Sequence, residues 1–221
     1  LYKKFCPGPI TFILKKKKKS KIQPMVSANL SSIAIRFPSH KVTRSILKKI
    51  NFPLAMPSAN ISSNVSPVSA EDVADEFKKD IKFILNGGEC KIGIESTVID
   101  LTRKPTILRP GIIGAKPIAK ILKTKINFSK KNSKITSPGM LKRHYSPGIP
   151  IILNQTPVNG TIACITIGKK YKNKTNYFNL SKKSNLKEAA SNLYKTLRKI
   201  KKLKFKKIHV VKIPCSGEGI A

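Results

Sequence analysis

Leu186-Lys-Glu-Ala-Ala-Ser-Asn-Leu-Tyr-Lys-Thr-Leu-Arg-Lys-Ile200 places Leu186, Ala189, Ala190, Leu193, Leu197 and Ile200 along one stripe. Those three- and four-residue steps are the period of an amphipathic helix. Short apolar runs flank it, Thr161 to Ile167 before and Ile208 to Ile213 after, each the length of a buried strand. Strand, helix and strand in that order imply a parallel pair joined by a crossover. With Ile149 to Leu153 as a further strand, this end of the chain reads as a small parallel α/β unit.

Moving upstream, Asn127 to Gly148 is dominated by Ser, Lys, Pro and Gly with little periodicity, the mark of a linker. It closes on Ser137-Pro-Gly-Met140 and His144-Tyr-Ser-Pro147. Before it, apolar and amphipathic runs alternate again. Ile33 to Arg36 reads as a strand and Lys41 to Ile50 as a helix. Ser69-Ala-Glu-Asp72 is a capping box, whose hydroxyl and carboxylate cover free N–H groups where a helix to about Lys79 begins. Ile81 to Leu85 and Ile92 to Leu101 read as the strands of a hairpin about Asn86-Gly87-Gly88. Thr106 to Arg109 is a further strand and Lys116 to Lys123 a short helix. The expected organisation is α/β: a domain over 1–126, a linker over 127–148 and a second domain over 149–221.

The 221 residues carry 45 Lys+Arg against 10 Asp+Glu, a formal charge of +35. Such a surface gains affinity for nucleic acid by releasing counterions. However, the excess is almost all Lys, with Arg only at positions 36, 44, 103, 109, 143 and 198. The guanidinium fork that reads phosphates and bases bidentately is therefore scarce. Abundant Ile and Asn match an AT-rich coding sequence, so Lys15 to Lys19 reads as a solvated loop. No apolar run approaches the roughly 18 residues that span a bilayer, which argues against a membrane partner. Cys6, Cys90, Cys164 and Cys215 lie far apart, without zinc spacing or a disulfide framework, and suit a reducing cytoplasmic setting. Leu1 and Ala221 read as cuts in a longer protein.

Familiar nucleotide signatures fail. Gly88-Glu-Cys-Lys-Ile-Gly93 has the glycine spacing of a phosphate loop, but Ile94-Glu95 stands where Lys-Ser/Thr is required. G-x-G-x-x-G, G-x-S-x-G and H-E-x-x-H are missing. What remains are hydroxyl and arginine clusters at the ends of apolar runs. These are Ser31-Ser32 before Arg36-Phe-Pro-Ser-His40, Pro57-Ser-Ala-Asn60 with Ser66-Pro67, Glu95-Ser-Thr97, and Leu108-Arg-Pro-Gly111. Hydroxyls and backbone N–H groups at strand ends cradle anions, and an arginine adds charge and a fork. With no nucleophile and no metal cage, the pattern points to transfer at a phosphate by positioning and electrostatics.

Phe5-Cys-Pro-Gly-Pro-Ile-Thr11, Ile35-Arg-Phe-Pro-Ser-His40, Pro53-Leu-Ala-Met-Pro-Ser-Ala-Asn60 with Ser66-Pro67, Gly93-Ile-Glu-Ser-Thr-Val98 and Leu108-Arg-Pro-Gly111 resemble, in order, the motifs of the YrdC-like family. Ser137-Pro-Gly-Met140 and His144-Tyr-Ser-Pro147 resemble the linker of its longer, two-domain form. The resemblance implies a twisted mixed sheet flanked by helices, then the linker, then a small Rossmann-like parallel domain. It implies an L-threonylcarbamoyladenylate synthase, joining L-threonine, bicarbonate and ATP, with Mg²⁺ arriving on the nucleotide. A downstream tRNA-modifying transferase would take the product, and contact with tRNA is possible in such a family.

Position by position, the resemblance implies threonine contacts at Arg36, Met56 and Ser96. It implies ATP contacts at Ser32, Ser58, Asn60, Ser66 and Arg109, with Tyr145 on a lid over the nucleotide. No side chain receives a catalytic or metal-ligating role. The family's basic Lys-x-Arg motif belongs upstream of Leu1, so this chain by itself is expected to be impaired. The alternative reading is a non-catalytic module that binds double-stranded RNA or tRNA. A carbamoyl-transfer maturation domain ranks last, since its C-x-x-C pairs are missing.

Overall fold

Ile10-Thr-Phe-Ile-Leu-Lys15 forms the strand about which the first sheet is built, in a computed structural model that describes residues 1–129, 145–158, 160–171, 174–215 and 217–221. In chain order the helices are α1 (Tyr2–Phe5), α2 (Lys41–Lys49), α3 (Ala70–Phe77), α4 (Ala115–Leu122) and α5 (Leu186–Lys202). The strands are β1 (Ile10–Lys15), β2 (Ser32–Arg36), β3 (Thr97–Asp100), β4 (Thr106–Arg109), β5 (Asn127–Phe128), β6 (Ile151–Leu153), β7 (Ala163–Thr166), β8 (Tyr177–Asn179) and β9 (Ile208–Val210). Two compact units result, Leu1–Pro57 with Glu95–Leu141 and Ala221, and Ser58–Ile94 with Lys142–Ile220. Sequence composition divides the chain near 127 and 148, whereas compactness sorts residues 58–94 with the C-terminal half.

The first unit carries a mixed sheet in the order β2-β1-β3-β4-β5. β1 runs antiparallel to β2 and parallel to β3, β3 antiparallel to β4, and β4 parallel to β5. Alternation sends two rows of side chains to opposite faces. Ile35, Phe12, Ile99 and Ile107 pair across one row. Ile10, Phe12, Ile99, Ile107, Ile118 and Ile126 form the core on that face. Each such side chain, when fully buried, contributes about 1.5–3 kcal/mol, so this face dominates the unit's stability. Helix α4 supplies Ala115, Ile118, Ala119 and Leu122, spaced at three- and one-residue steps along its apolar stripe. Its Pro117 sits in the first turn, where the missing N–H has no helical partner to lose.

The second unit is built on a parallel sheet, β6-β9-β7-β8, packed against α5. Ala163, Ile165, Ile208 and Val210 meet Ala189, Tyr194, Leu197 and Ile200 in its core, joined by Val65 and Val68 from the segment before α3. Asn185 caps α5, its side chain accepting from the N–H groups of Lys187 and Glu188. Strand, helix and strand in parallel order are as the periodicity predicts. Strand β8 escapes that pattern because its three residues carry no run of alternation.

One expectation is overturned. Residues 81–85 and 92–96 are not strands, and the hairpin about Asn86-Gly87-Gly88 does not form. Both edges of β3 are taken by β1 and β4, leaving no ladder for residues 81–85 to join. Phe83 and Leu85 are accordingly exposed. Gly93 has φ +73°, and a Cβ there would strike the backbone of Ser191 and Ala190 on α5. The glycine is needed for that close approach rather than for a strand. The capping box at Ser69 is present in altered form. Ser69 Oγ accepts from Asp72 N, while Asp72 Oδ2 reaches one residue further back, to Val68 N.

Candidate anion-binding site

On the face opposite the first unit's core, register aligns Arg36, Thr11, Val98 and Arg109 in one row across β2, β1, β3 and β4. Three strand spacings separate the outer two backbones, about 14 Å. Arg36 Nε donates to Gly8 O at 3.4 Å, which ties the end of β2 to the approach to β1. Arg109 Nε donates to Ser96 O at 3.1 Å and its Nη2 to Ser96 Oγ at 3.1 Å. Ser96 Oγ also shares a 2.8 Å hydrogen bond with Thr11 Oγ1. Ser96 is 4% exposed, so its orientation is set by these partners and not by solvent. Glu95 Oε2 stands 3.8 Å from Arg109 Nη1, an ion pair at the edge of the corner. The row thus places two guanidinium groups, one of them ion-paired with Glu95, on one face of the sheet.

Local sequence explains the arrangement. Thr97 belongs to the core face, where its hydroxyl donates to Ile113 O at 2.8 Å and accepts from Ile113 N at 3.2 Å. Alternation then turns Ser96 to the other face. Gly111 lies so close that a Cβ there would stand 2.5 Å from Thr97 N and 2.8 Å from Ser96 C. Leu108-Arg-Pro-Gly111 and Glu95-Ser-Thr97 are thus one packed corner.

The remaining residues of the expected site are distributed as follows. Ser32 begins β2 and pairs with Lys15, on the same face as Arg36 but about 13 Å along the strand. Met56 is exposed. Ser58, Asn60, Ser66 and Tyr145 belong to the second unit. There, Asn60 Nδ2 donates to Ile61 O at 2.8 Å and to Asn64 O at 3.2 Å. Its Oδ1 is buried and has no hydrogen-bond partner among the described residues. Ser66 is 8% exposed and Ser58 is exposed. Tyr145 stacks on Tyr194 of α5, centroids 5.6 Å apart at 26°. Its neighbour Ser146 donates N–H to Ser63 O at 2.8 Å. Met140 and His144 lie outside the described residues.

Two residues passed over in the sequence organise hydrogen bonds, one in each unit. Thr11 is the one hydroxyl in Ile10-Thr-Phe-Ile-Leu14, and that polar break in an apolar strand was its signal. Arg198 of α5 bonds Val65 O, Asp72 O and the Asp72 and Glu76 carboxylates. Its signal was an Arg in a chain where Lys is the default base.

Residues 1–111 match the family model described as "Telomere recombination", that of Sua5, YciO and YrdC, and residues 113–221 match the model described as "Threonylcarbamoyl-AMP synthase, C-terminal domain". The chain is 39% identical over 163 residues to the threonylcarbamoyl-AMP synthase of Pyrococcus abyssi (strain GE5 / Orsay), covering 71% of this chain and 47% of that protein. It is 38% identical over 165 residues to the synthase of Schizosaccharomyces pombe, covering 69% of this chain and 40% of that protein. The Bacillus subtilis synthase is 38% identical over 157 residues, 69% of this chain and 45% of that protein. The chain thus spans less than half the length of these relatives. In structure it is similar to P. abyssi Sua5 complexed with L-threonine, with a TM-score of 0.87 and 30% identity, covering 100% of this chain and 69% of that one. Both modules match in order along the chain, and the mixed sheet followed by a parallel one has a solved counterpart: the chain belongs to the YrdC/Sua5 family, in its two-domain form.

Proposed function

We propose that the protein to which this chain belongs is an L-threonylcarbamoyladenylate synthase. The observation that carries this reading is the corner where Arg109 grips Ser96 on the same sheet row as Arg36. Arg36 and Ser96 meet L-threonine, the guanidinium taking the carboxylate fork to fork, with Met56 contributing backbone. Ser32 and Arg109 meet ATP. Ser58, Asn60, Ser66 and Tyr145 are nucleotide contacts on the same reading, and the buried Oδ1 of Asn60 is an acceptor suited to a ribose hydroxyl or an adenine amino group.

The reaction asks little covalent chemistry of the protein. The threonine amine and bicarbonate condense to a carbamate with loss of water. A carbamate oxygen then attacks the α-phosphorus, the bond to the bridging oxygen breaks, and pyrophosphate leaves. Charge builds on phosphate oxygens, where a preoriented guanidinium stabilises it. Because Arg109 is held by Ser96 before any ligand arrives, it loses little freedom on binding. Mg²⁺ enters as part of MgATP. The product passes to a tRNA-modifying transferase, and the compartment proposed is the cytoplasm. Among the described residues no helix is long and apolar enough to cross a membrane.

The test is pyrophosphate release by the full-length protein with L-threonine, bicarbonate and ATP each omitted in turn. Release that needs all three supports the proposal; release indifferent to threonine refutes it. A non-catalytic RNA-binding module is not favoured, since the relatives carry the synthase name. Such a module would show no release at all, and an affinity for RNA falling steeply with salt.

A further inference from the structure

We propose that Arg198 is a positioning residue for the segment 60–66, and through it for ATP; the second half rests on the reading above that Asn60 and Ser66 meet the nucleotide. Arg198 lies on α5, more than 120 residues along the chain from that segment, and its side chain is 12% exposed. Its Nη1 donates to Val65 O at 2.9 Å, and its Nη2 to Asp72 O at 3.0 Å and to Glu76 Oε2 at 3.1 Å. Its Nε stands 3.0 Å from Asp72 Oδ1. Four acceptors in different directions use the planar fork, which a lysine ammonium on a flexible stem cannot reproduce.

Glu76 extends the strut. Its Oε1 accepts from Ile61 N at 3.1 Å and from Asn64 Nδ2 at 2.7 Å. Asn64 O in turn accepts from Asn60 Nδ2. One guanidinium thus fixes the carbonyl next to Ser66 directly and Asn60 through Glu76 and Asn64. The flanking pairs on α5, Lys195–Glu89 and Lys202–Asp75, have side chains at least 55% exposed and contribute little. Arg198 is different because removing it takes a charged donor from two carbonyls and from the largely buried carboxylates of Asp72 and Glu76, which keep only neutral N–H donors, a costly state. The C-terminal module, on this inference, serves the reaction by holding the loop that the nucleotide touches.

The experiment uses the full-length protein with Arg198→Ala, Arg198→Lys and Glu76→Gln. Amide hydrogen exchange is read at residues 61–66 and at β7 and β9, and KM is measured separately for ATP and L-threonine. Arg198→Ala is expected to speed exchange at 61–66 while β7 and β9 stay protected, and to raise the ATP KM about tenfold with the threonine KM within about twofold. Arg198→Lys keeps the charge and is expected not to restore the ATP KM. Should Arg198→Ala fail to fold, Glu76→Gln keeps shape and volume but turns an amide toward the guanidinium, and it should move both readouts in the same direction. Unchanged exchange at 61–66, equal losses for ATP and threonine, or full rescue by lysine would each overturn the inference. A wild-type protein indifferent to both ligands sinks the functional reading and the ATP half together, while exchange at 61–66 still decides whether Arg198 orders the segment.

Discussion

Arg109 closes on Ser96 from two sides, Nε on the carbonyl and Nη2 on the hydroxyl, each at 3.1 Å. On the proposed assignment the ATP residue and the threonine residue are therefore one mechanical unit, an arrangement that would keep the two reacting groups adjacent. Arg109→Ala should weaken ATP binding about 10–100-fold, the loss of a hydrogen bond from a charged group. It should also weaken L-threonine binding several-fold, because Ser96 loses its brace. Titration calorimetry with each ligand checks this; a loss confined to ATP would mean that Thr11 alone orients Ser96.

Arg36 shares the row but not the corner; its Nε donates to Gly8 O at a long 3.4 Å. On the proposed reading its guanidinium takes the threonine carboxylate. Arg36→Ala should cut L-threonine affinity about 10–100-fold and leave ATP affinity within about threefold. Equal losses would remove Arg36 from the amino-acid site.

Much of this was legible because side-chain period betrays strands and helices: the stripe from Leu186 to Ile200 and the run Thr106 to Arg109 both stand where their spacing puts them. The family motifs pointed to Arg36, Ser96 and Arg109; register sets Arg36 and Arg109 in one row, and hydrogen bonds bring Ser96 to Arg109, while their ligand roles belong to the proposal. What stayed hidden depends on contacts between distant residues. Gly93 reads as part of a hairpin strand until α5 is seen against it. Thr11 earns a role only through Ser96, 85 positions away. Arg198 likewise looks like one more base on a polar helix face until Asp72 and Glu76 are brought to it.

Gly111 offers a test of the corner's packing. Its added Cβ would meet Thr97 N at 2.5 Å, Glu95 O at 2.7 Å and Ser96 C at 2.8 Å, all backbone atoms that no rotamer change can move. Gly111→Ala should cost about 1–3 kcal/mol in denaturant unfolding and lower L-threonine affinity. Gly114→Ala, with nothing within 4 Å of its Cβ, is the control and should cost less than about 1 kcal/mol. Equal effects at the two glycines would show that Ser96 tolerates displacement.

Tyr145 rests on Tyr194, so its ring is presented from the second unit's core. If it covers the nucleotide as a lid, it protects a mixed anhydride from water. Tyr145→Ala should shorten the lifetime of the adenylate product, followed by chromatography of quenched reactions, whereas Tyr145→Phe should keep it. A lifetime unchanged in Tyr145→Ala would leave the ring a packing role only.

Glu76 makes the second unit's stability depend on pH in a definite direction. Burial favours its neutral form, but hydrogen bonds from Asn64, Ile61 and Arg198, and the Arg198 charge, outweigh burial and hold its pKa below the ordinary carboxylate value. A carboxyl whose pKa is lower folded than unfolded binds fewer protons in the native state, so stability rises with pH across that window. Its contribution is fully present above the unfolded value of about 4.3 and is lost as pH falls through the folded one. Glu76→Gln removes the titration while keeping the shape. The difference in denaturant midpoint between wild type and Glu76→Gln should be large at pH 7 and shrink as pH drops below about 4. Taking the difference cancels the general acid sensitivity of so basic a chain. A gap that stays constant down to the acid transition would mean that Glu76 supports Ile61 and Asn64 by geometry and that its charge contributes nothing.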